Sequence, residues 1–162
     1  MSEVQKWSAP VPLTAAHNVA DFNCGEPTLD HWLKQRALRN EGRASRTYVL
    51  CTGRQVVAYY CLATGSITSE LAPGRVRRNM PDPIPLMVLG RLAVDLAWQG
   101  RGLGKAILRD AVLRSIQVSE LVGVRALLVH ALSDQAVGFY EAHGFHPSPM
   151  NPRTLLLPLS EV

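Results

Sequence analysis

Leu92-Ala93-Val94-Asp95-Leu96-Ala97-Trp98-Gln99-Gly100-Arg101-Gly102-Leu103-Gly104-Lys105 is the stretch on which the fold of this chain turns. It opens as the end of an apolar run from Leu86 to Val94, read as a buried strand, and passes through Asp95 to Trp98 into three alternating glycines. From Leu103 the apolar positions Leu103, Ile107, Leu108, Ala111, Val112 and Ile116 form one stripe, opposed by Lys105, Arg109, Arg114 and Gln117. That spacing predicts a helix ending near Gly123. Asp95 suits a cap of the turn after its strand and is given no catalytic role.

Gly100, Gly102 and Gly104 stand at the first turn of that helix, where glycine is costly unless the backbone must approach something closely. A helix N-terminus carries unpaired amides and the positive end of the dipole, so an anion is the natural visitor. Arg101 and Lys105 add positive charge. Helix starts tolerate glycine in many proteins, so the cluster alone names no ligand. Its spacing is not the GxGxxG of a dinucleotide fold, and it lacks the Gly-Lys-Ser/Thr ending of a P-loop. Among common pyrophosphate ligands, CoA remains.

Working outward, 162 residues suffice for one domain, 1–162, that buries most of its apolar surface without disulfide or metal. A hydrophobic fraction of 47% with 19% charged residues is that of a globular chain, not a disordered one. No apolar run approaches the roughly 18 residues that span a bilayer, and Glu3 and Lys6 stand where a signal peptide would be apolar, so a cytoplasmic protein without membrane contact is expected. Cys24, Cys51 and Cys61 are an odd count without CxxC spacing and read as buried free thiols. His17, His31, His130, His143 and His146 show no metal-like clustering, so no metal is assigned. A net charge of +4 favours an anionic partner.

Thr14 and Thr28 precede segments of helical spacing, with Leu29, Trp32, Leu33 and Ala37 recurring at intervals of three and four, so two short helices are predicted. Thr47 to Cys51 and Val56 to Ile67, joined by Thr52-Gly53-Arg54-Gln55, read as a β-hairpin. Pro73 to Pro85 reads as a linker or active-site loop. Ala126 to Leu132 is a second buried strand, Gln135 to His143 a short helix and Thr154 to Leu159 a last strand. The result is a mixed α/β domain.

Leu92-Ala93-Val94 followed by Gln99 to Gly104 resembles the strand-turn-helix signature of the GNAT acetyltransferase superfamily. Ala136, Phe139-Tyr140 and Gly144-Phe145 match the spacing of the family's downstream AxxFYxxxGF element, with Ser133 where the family usually has Asn. The resemblance implies a GNAT fold, a mixed and mostly antiparallel sheet with a splayed parallel strand pair and flanking helices. It implies acetyl-CoA as acetyl donor, held by Leu92, Ala93, Val94, Gln99, Gly100, Arg101, Gly102, Leu103, Gly104, Lys105, Ser133 and Phe139. By the same likeness the Val94 amide polarises the thioester carbonyl, and Tyr140 protonates the departing CoA sulfur. On pattern alone, Tyr140 reads equally as a core tyrosine packed on the sheet.

Phe22-Asn23-Cys24-Gly25, Leu29-Asp30-His31-Trp32-Leu33, Ser45-Arg46-Thr47-Tyr48-Val49 and Phe145-His146-Pro147-Ser148-Pro149-Met150 are similar to GNAT toxins of type II toxin-antitoxin pairs. That likeness implies N-acetylation of the α-amine of aminoacyl-tRNA and arrest of translation. It further implies a ribbon-helix-helix antitoxin and a homodimer. An aminoacyl α-amine is less basic than lysine, whose pKa is about 10.4, so a general base is not demanded. Arg36, Arg39, Arg75, Arg77, Arg78 and Arg91 are the candidate tRNA contacts, a solvated charged surface being the plain alternative. The competing function is acetylation of a small amine or a protein N-terminus, which needs no basic surface.

Overall fold

The computed structural model describes residues 7–162; Glu3 and Lys6 lie outside the described residues. The strands are β1 (Val11–Pro12), β2 (Arg46–Thr52), β3 (Gln55–Ile67), β4 (Ile84–Val94), β5 (Ala126–His130), β6 (His146–Pro147) and β7 (Thr154–Pro158). The helices are α1 (Pro27–Gln35), α2 (Ala37–Asn40), α3 (Gly74–Arg77), α4 (Leu103–Ser119) and α5 (Asp134–Ala142). The strands hydrogen-bond in the order β1-β2-β3-β4-β5-β7-β6. β4 and β5 are parallel, whereas β1 with β2, β2 with β3, β5 with β7 and β6 with β7 are antiparallel. This is the mixed, mostly antiparallel sheet the resemblance implied. The parallel register runs from Leu86↔Ala126 to Leu89↔Val129, and β4 then continues to Val94.

By its internal contacts the chain forms two compact units, one of Met1–Leu62 with Arg91–Ala111, the other of Ala63–Gly90 with Val112–Val162. In the first, Phe22, Trp32, Leu33, Val49, Cys51, Val56, Tyr59, Cys61 and Ala93 make the core. Pro27 starts α1, where its missing amide is no loss, and Asp30 in the first turn and Lys34 in the last suit the helix dipole. Leu29, Trp32 and Leu33, spaced by three and four, face the core. Successive β3 residues point to opposite faces, so the adjacent tyrosines serve different layers. Tyr59 stacks on Trp32 at 6.1 Å and its hydroxyl donates to Leu29 O at 2.7 Å, fixing α1. Tyr60 donates to the Asp110 carboxylate on α4.

In the second unit Ile67, Ala72, Val76, Ile84, Leu86, Ala126, Leu128 and Leu156 form the core. The proline-rich stretch expected as a linker or loop is in part a packed element. It contains α3, Val76 is fully buried, and the Arg125 guanidinium donates to Arg75 O at 2.7 Å and Val76 O at 3.0 Å. Asp82 accepts from the Ser69 amide at 2.9 Å, closing the segment.

The hairpin forms as predicted, with Gly53 at φ 61° in its turn and a register shift between Leu50 and Cys51. The helix expected after Thr14 does not form. The Thr14 hydroxyl accepts from the Ala16 amide at 3.2 Å and the His17 ring from the Thr14 amide at 2.9 Å, local bonds that compete with a helix. Thr28 lies inside α1, one residue after its start. α4 stops at Ser119, four residues before Gly123. The cysteines are free and buried, as expected.

Replacing Tyr60 with Phe removes the donor to a carboxylate held against the sheet. The expected cost is about 1–3 kcal/mol, measured as a lower urea midpoint with an unchanged denaturant slope.

Candidate functional site

The turn after β4 is held from both sides by side chains. Asp95 accepts from the Ala97 amide at 2.9 Å and the Asn23 amide at 3.0 Å, while its own amide donates to Val57 O at 2.8 Å. It caps the turn, as its position predicted. The Gln99 side-chain amide donates to Val94 O at 2.9 Å and Cys24 O at 3.2 Å. Asp30 on α1 accepts from the Cys24 amide at 2.9 Å. The Phe22–Gly25 and Leu29–Leu33 motifs therefore act here as the clasp that fixes the β4 exit. Ala93 is core, and Leu92 and Val94 are half-buried.

Beyond the clasp, Gly100 and Gly102 have φ of +79° and +85°, and a Cβ at either would meet nothing within 4 Å. Glycine is required there by backbone conformation, and the space above it is open. The first bond of α4 runs from the Ala106 amide to Gly102 O at 3.0 Å, so the amides of Leu103, Gly104 and Lys105 precede the helical ladder. Leu103 is buried and anchors the helix start, and Lys105 is exposed. Arg101 lies over the Trp98 ring at 4.6 Å, and Trp98 meets the edge of Trp7 at 6.2 Å. A 17-residue helix with leading amides and two flanking cations suits a pyrophosphate.

In the second unit, α5 presents Tyr140. Ser133 caps the helix, its hydroxyl oxygen accepting from the Ala136 amide at 3.1 Å, so that oxygen is already engaged by the chain. At the other end Gly144, at φ +94°, donates to Glu141 O at 3.1 Å and the Phe145 amide to Tyr140 O at 3.1 Å. This is a Schellman cap, and its hydrophobic contact is the Tyr140–Phe145 ring pair at 5.4 Å. The Gly-Phe spacing after the tyrosine is thus helix-ending chemistry that locks the tyrosine's ring. Phe139 packs edge-on to the same ring at 5.2 Å, and its carbonyl accepts from His143 at 2.8 Å.

Tyr140 differs from the other tyrosines in its hydroxyl. Tyr59 and Tyr60 donate to protein acceptors, and Tyr48 also has a partner. The Tyr140 ring is buried, its hydroxyl has no protein partner among the described residues, and no fully buried side-chain oxygen there lacks one, so that oxygen is open to solvent. Burial of the ring disfavours the phenolate and pushes the group up to about 12. The phenol therefore stays protonated and has no acceptor among the described residues.

The predicted arginines separate into three kinds. Arg36 and Arg39 in the first unit, and Arg77 and Arg78 in the second, are exposed, and their side chains have no partners among the described residues. Arg75 pairs with Glu161 at 3.4 Å. Arg91 is half-buried, 4.1 Å from the Trp32 ring centre. Arg125 went unmarked in the sequence, although it holds the α3 backbone from 49 and 50 residues away, a contact that no local pattern announces. Among the described residues no three His, Cys, Asp or Glu side chains gather as a metal site, and no helix is long and apolar enough to cross a membrane.

Comparison with known proteins adds three findings. The acetyltransferase (GNAT) domain family matches residues 43–147. The chain is 50% identical over 152 residues to a tRNA-acetylating toxin of Mycobacterium tuberculosis, covering 93% of this chain and 92% of that protein. Among solved structures it is similar to AtaT complexed with acetyl-methionyl-tRNAfMet, with a TM-score of 0.89, 30% identity and 96% of each chain covered. It is also similar to a tyrosine-to-phenylalanine variant of the AtaT toxin bound to the C-terminus of the antitoxin AtaR and acetyl-CoA, at TM-score 0.82, 30% identity and coverage of 97% and 96%.

A difference titration of the phenol absorbance between the protein and its Tyr140→Phe variant is expected to show no step near the ordinary tyrosine value of about 10. A step there would mean that the ring is not buried as described.

Proposed function

The chain belongs to the GNAT acetyltransferase family, and on that footing we propose that it is the toxin of a type II toxin-antitoxin pair, moving acetyl from acetyl-CoA to the α-amine of aminoacyl-tRNA and so blocking translation. The observation that carries this reading is half identity, over nearly the whole chain, to a toxin named for acetylating tRNA. The AtaT relatives with acetyl-methionyl-tRNAfMet and with acetyl-CoA support the same acceptor and donor. The protein works in the cytoplasm as a single domain, 1–162, in a homodimer, and a ribbon-helix-helix antitoxin neutralises it. Support for an antitoxin comes from the AtaT relative bound to AtaR.

The residues fit the donor. The amides of Leu103, Gly104 and Lys105, with Arg101 and Lys105 beside them, hold the pyrophosphate over Gly100 and Gly102, where a side chain would stand in its way. Gln99 contributes by fixing the turn, and Ser133 and Phe139 by fixing α5, while Leu92, Ala93 and Val94 provide the strand along which the donor lies. Acetyl-CoA supplies a thioester carbonyl that an amine can attack. As the C–N bond forms and the C–S bond breaks, the amine releases its proton to water. Tyr140 donates its own proton to the leaving sulfur and is reprotonated from solvent. The Val94 amide polarises the carbonyl. Arg36, Arg39, Arg77 and Arg78 bind tRNA phosphates without reading sequence, as an enzyme meeting several tRNAs requires. Arg75, exposed and paired with Glu161 at 3.4 Å, stands beside Arg77 and Arg78.

Incubating the protein with labelled acetyl-CoA and purified charged tRNA is expected to place label on RNA. Label on free amines or proteins, and never on RNA, would defeat the reading. Tyr140→Phe is expected to lower turnover by about 10²–10⁴-fold with acetyl-CoA affinity retained; unchanged turnover removes the tyrosine from the chemistry. Replacing both Arg77 and Arg78 with Gln is expected to weaken tRNA binding and flatten its log-log salt dependence by about two. An unaltered slope would place RNA elsewhere.

A further inference from the structure

Arg91 is held differently from the surface arginines. Its guanidinium lies 4.1 Å from the Trp32 ring centre, and Trp32 itself stacks on Tyr59 at 6.1 Å with an interplanar angle of 10°. Cys61, in the same core as Trp32, has its sulfur 3.5 Å from the Thr47 hydroxyl. The carboxylates of this neighbourhood are engaged elsewhere, Asp30 on the Cys24 amide and Glu41 on the Thr47 amide and Arg46. Among the described residues Arg91 has neither an ion pair nor an oxygen acceptor.

A half-buried cation without an anion is costly, and the stack on Trp32 uses only the flat face of the guanidinium. A guanidinium carries its N–H groups in its plane, arranged as the fork that suits two oxygens of one phosphate. Trp32 is buried and packs on both Arg91 and Tyr59, so it serves as a support for the arginine. We propose that Arg91 is the seat of the phosphodiester that leads into the acceptor's 3′-terminal nucleotide. It thereby distinguishes an amino acid esterified to a nucleotide chain from a free amine.

This deepens the tRNA reading and rests on it. Arg91 stands three residues before Val94 on β4, about 10 Å along the strand. Roughly that length of covalent chain separates an aminoacyl amine from the phosphate on the far side of its ribose. The exposed arginines grip RNA at any point along its backbone, whereas Arg91 is pinned at one distance from the end of β4.

Two stable competitors test this: a 3′-amide-linked aminoacyl-adenosine and the same compound carrying a 5′-phosphate, each measured as an inhibitor of charged-tRNA acetylation. The phosphate is expected to improve inhibition by about tenfold or more. Arg91→Gln should bring the two inhibition constants together while leaving the KM for acetyl-CoA unchanged, and Arg91→Lys should restore part of the difference. Thermal melting confirms that each variant folds. Equal inhibition by the two compounds with the native protein, or a preference that survives Arg91→Gln, overturns the proposal and leaves the tRNA reading standing. Failure of charged tRNA itself to accept acetyl overturns both.

Discussion

The carboxylate of Asp95 is the constraint from which the rest of the first unit follows. One oxygen closes the turn on Ala97 and the other holds the Asn23 amide, while the backbone of the same residue is tied to Val57 on β3. Gln99 repeats the device a few residues later, bonding the carbonyls of Val94 and Cys24. With the chain reversal fixed at both ends, the glycines that follow take left-handed backbone angles and the first amides of α4 are left without partners in the helix. The same clasp seats α1 against the end of β4, which is what brings Trp32 under Arg91. The glycine turn and the seat of Arg91 thus share one set of hydrogen bonds.

Across both units, the groups suited to chemistry are those that the fold leaves unpaired. Tyr59 and Tyr60 are buried tyrosines with protein acceptors, and they hold helices to strands. Tyr140 is also buried but has no acceptor among the described residues, because the Schellman cap and the two phenylalanines fix it without using its oxygen. The arginines follow the same division. Arg46, Arg125 and Arg153 are bound to carboxylates or carbonyls, whereas Arg36, Arg39, Arg77 and Arg78 are available to a polyanion.

Much of this was legible in the chain itself, for identifiable reasons. The β2–β3 hairpin follows from β-branched runs around a short glycine turn, and α4 follows from an apolar stripe of period 3.6. The glycine turn and the Phe-Tyr and Gly-Phe pairs are local motifs in which spacing and chemistry coincide. Other features were not legible. The segment after Thr14 carries a helix-start residue whose hydroxyl instead bonds a nearby amide to make a turn. The proline-rich stretch reads as a linker or active-site loop because Arg125, which orders part of it, lies far along the chain. The internal bonds of Gln99 and Ser133 to the protein's own backbone were also not legible.

By itself the sequence determined the mixed α/β architecture, the glycine turn at the start of α4 and the capped tyrosine, because each is encoded over a few residues by periodicity, backbone freedom or helix capping. Only the tertiary structure decided which polar groups are left over. Whether Tyr140 keeps a free hydroxyl, whether Arg75 is paired, and whether Arg91 stands unpaired on Trp32 depend on residues tens of positions away. Hydrogen-bond and charge satisfaction belong to the packed molecule, and no local pattern of residue types records them.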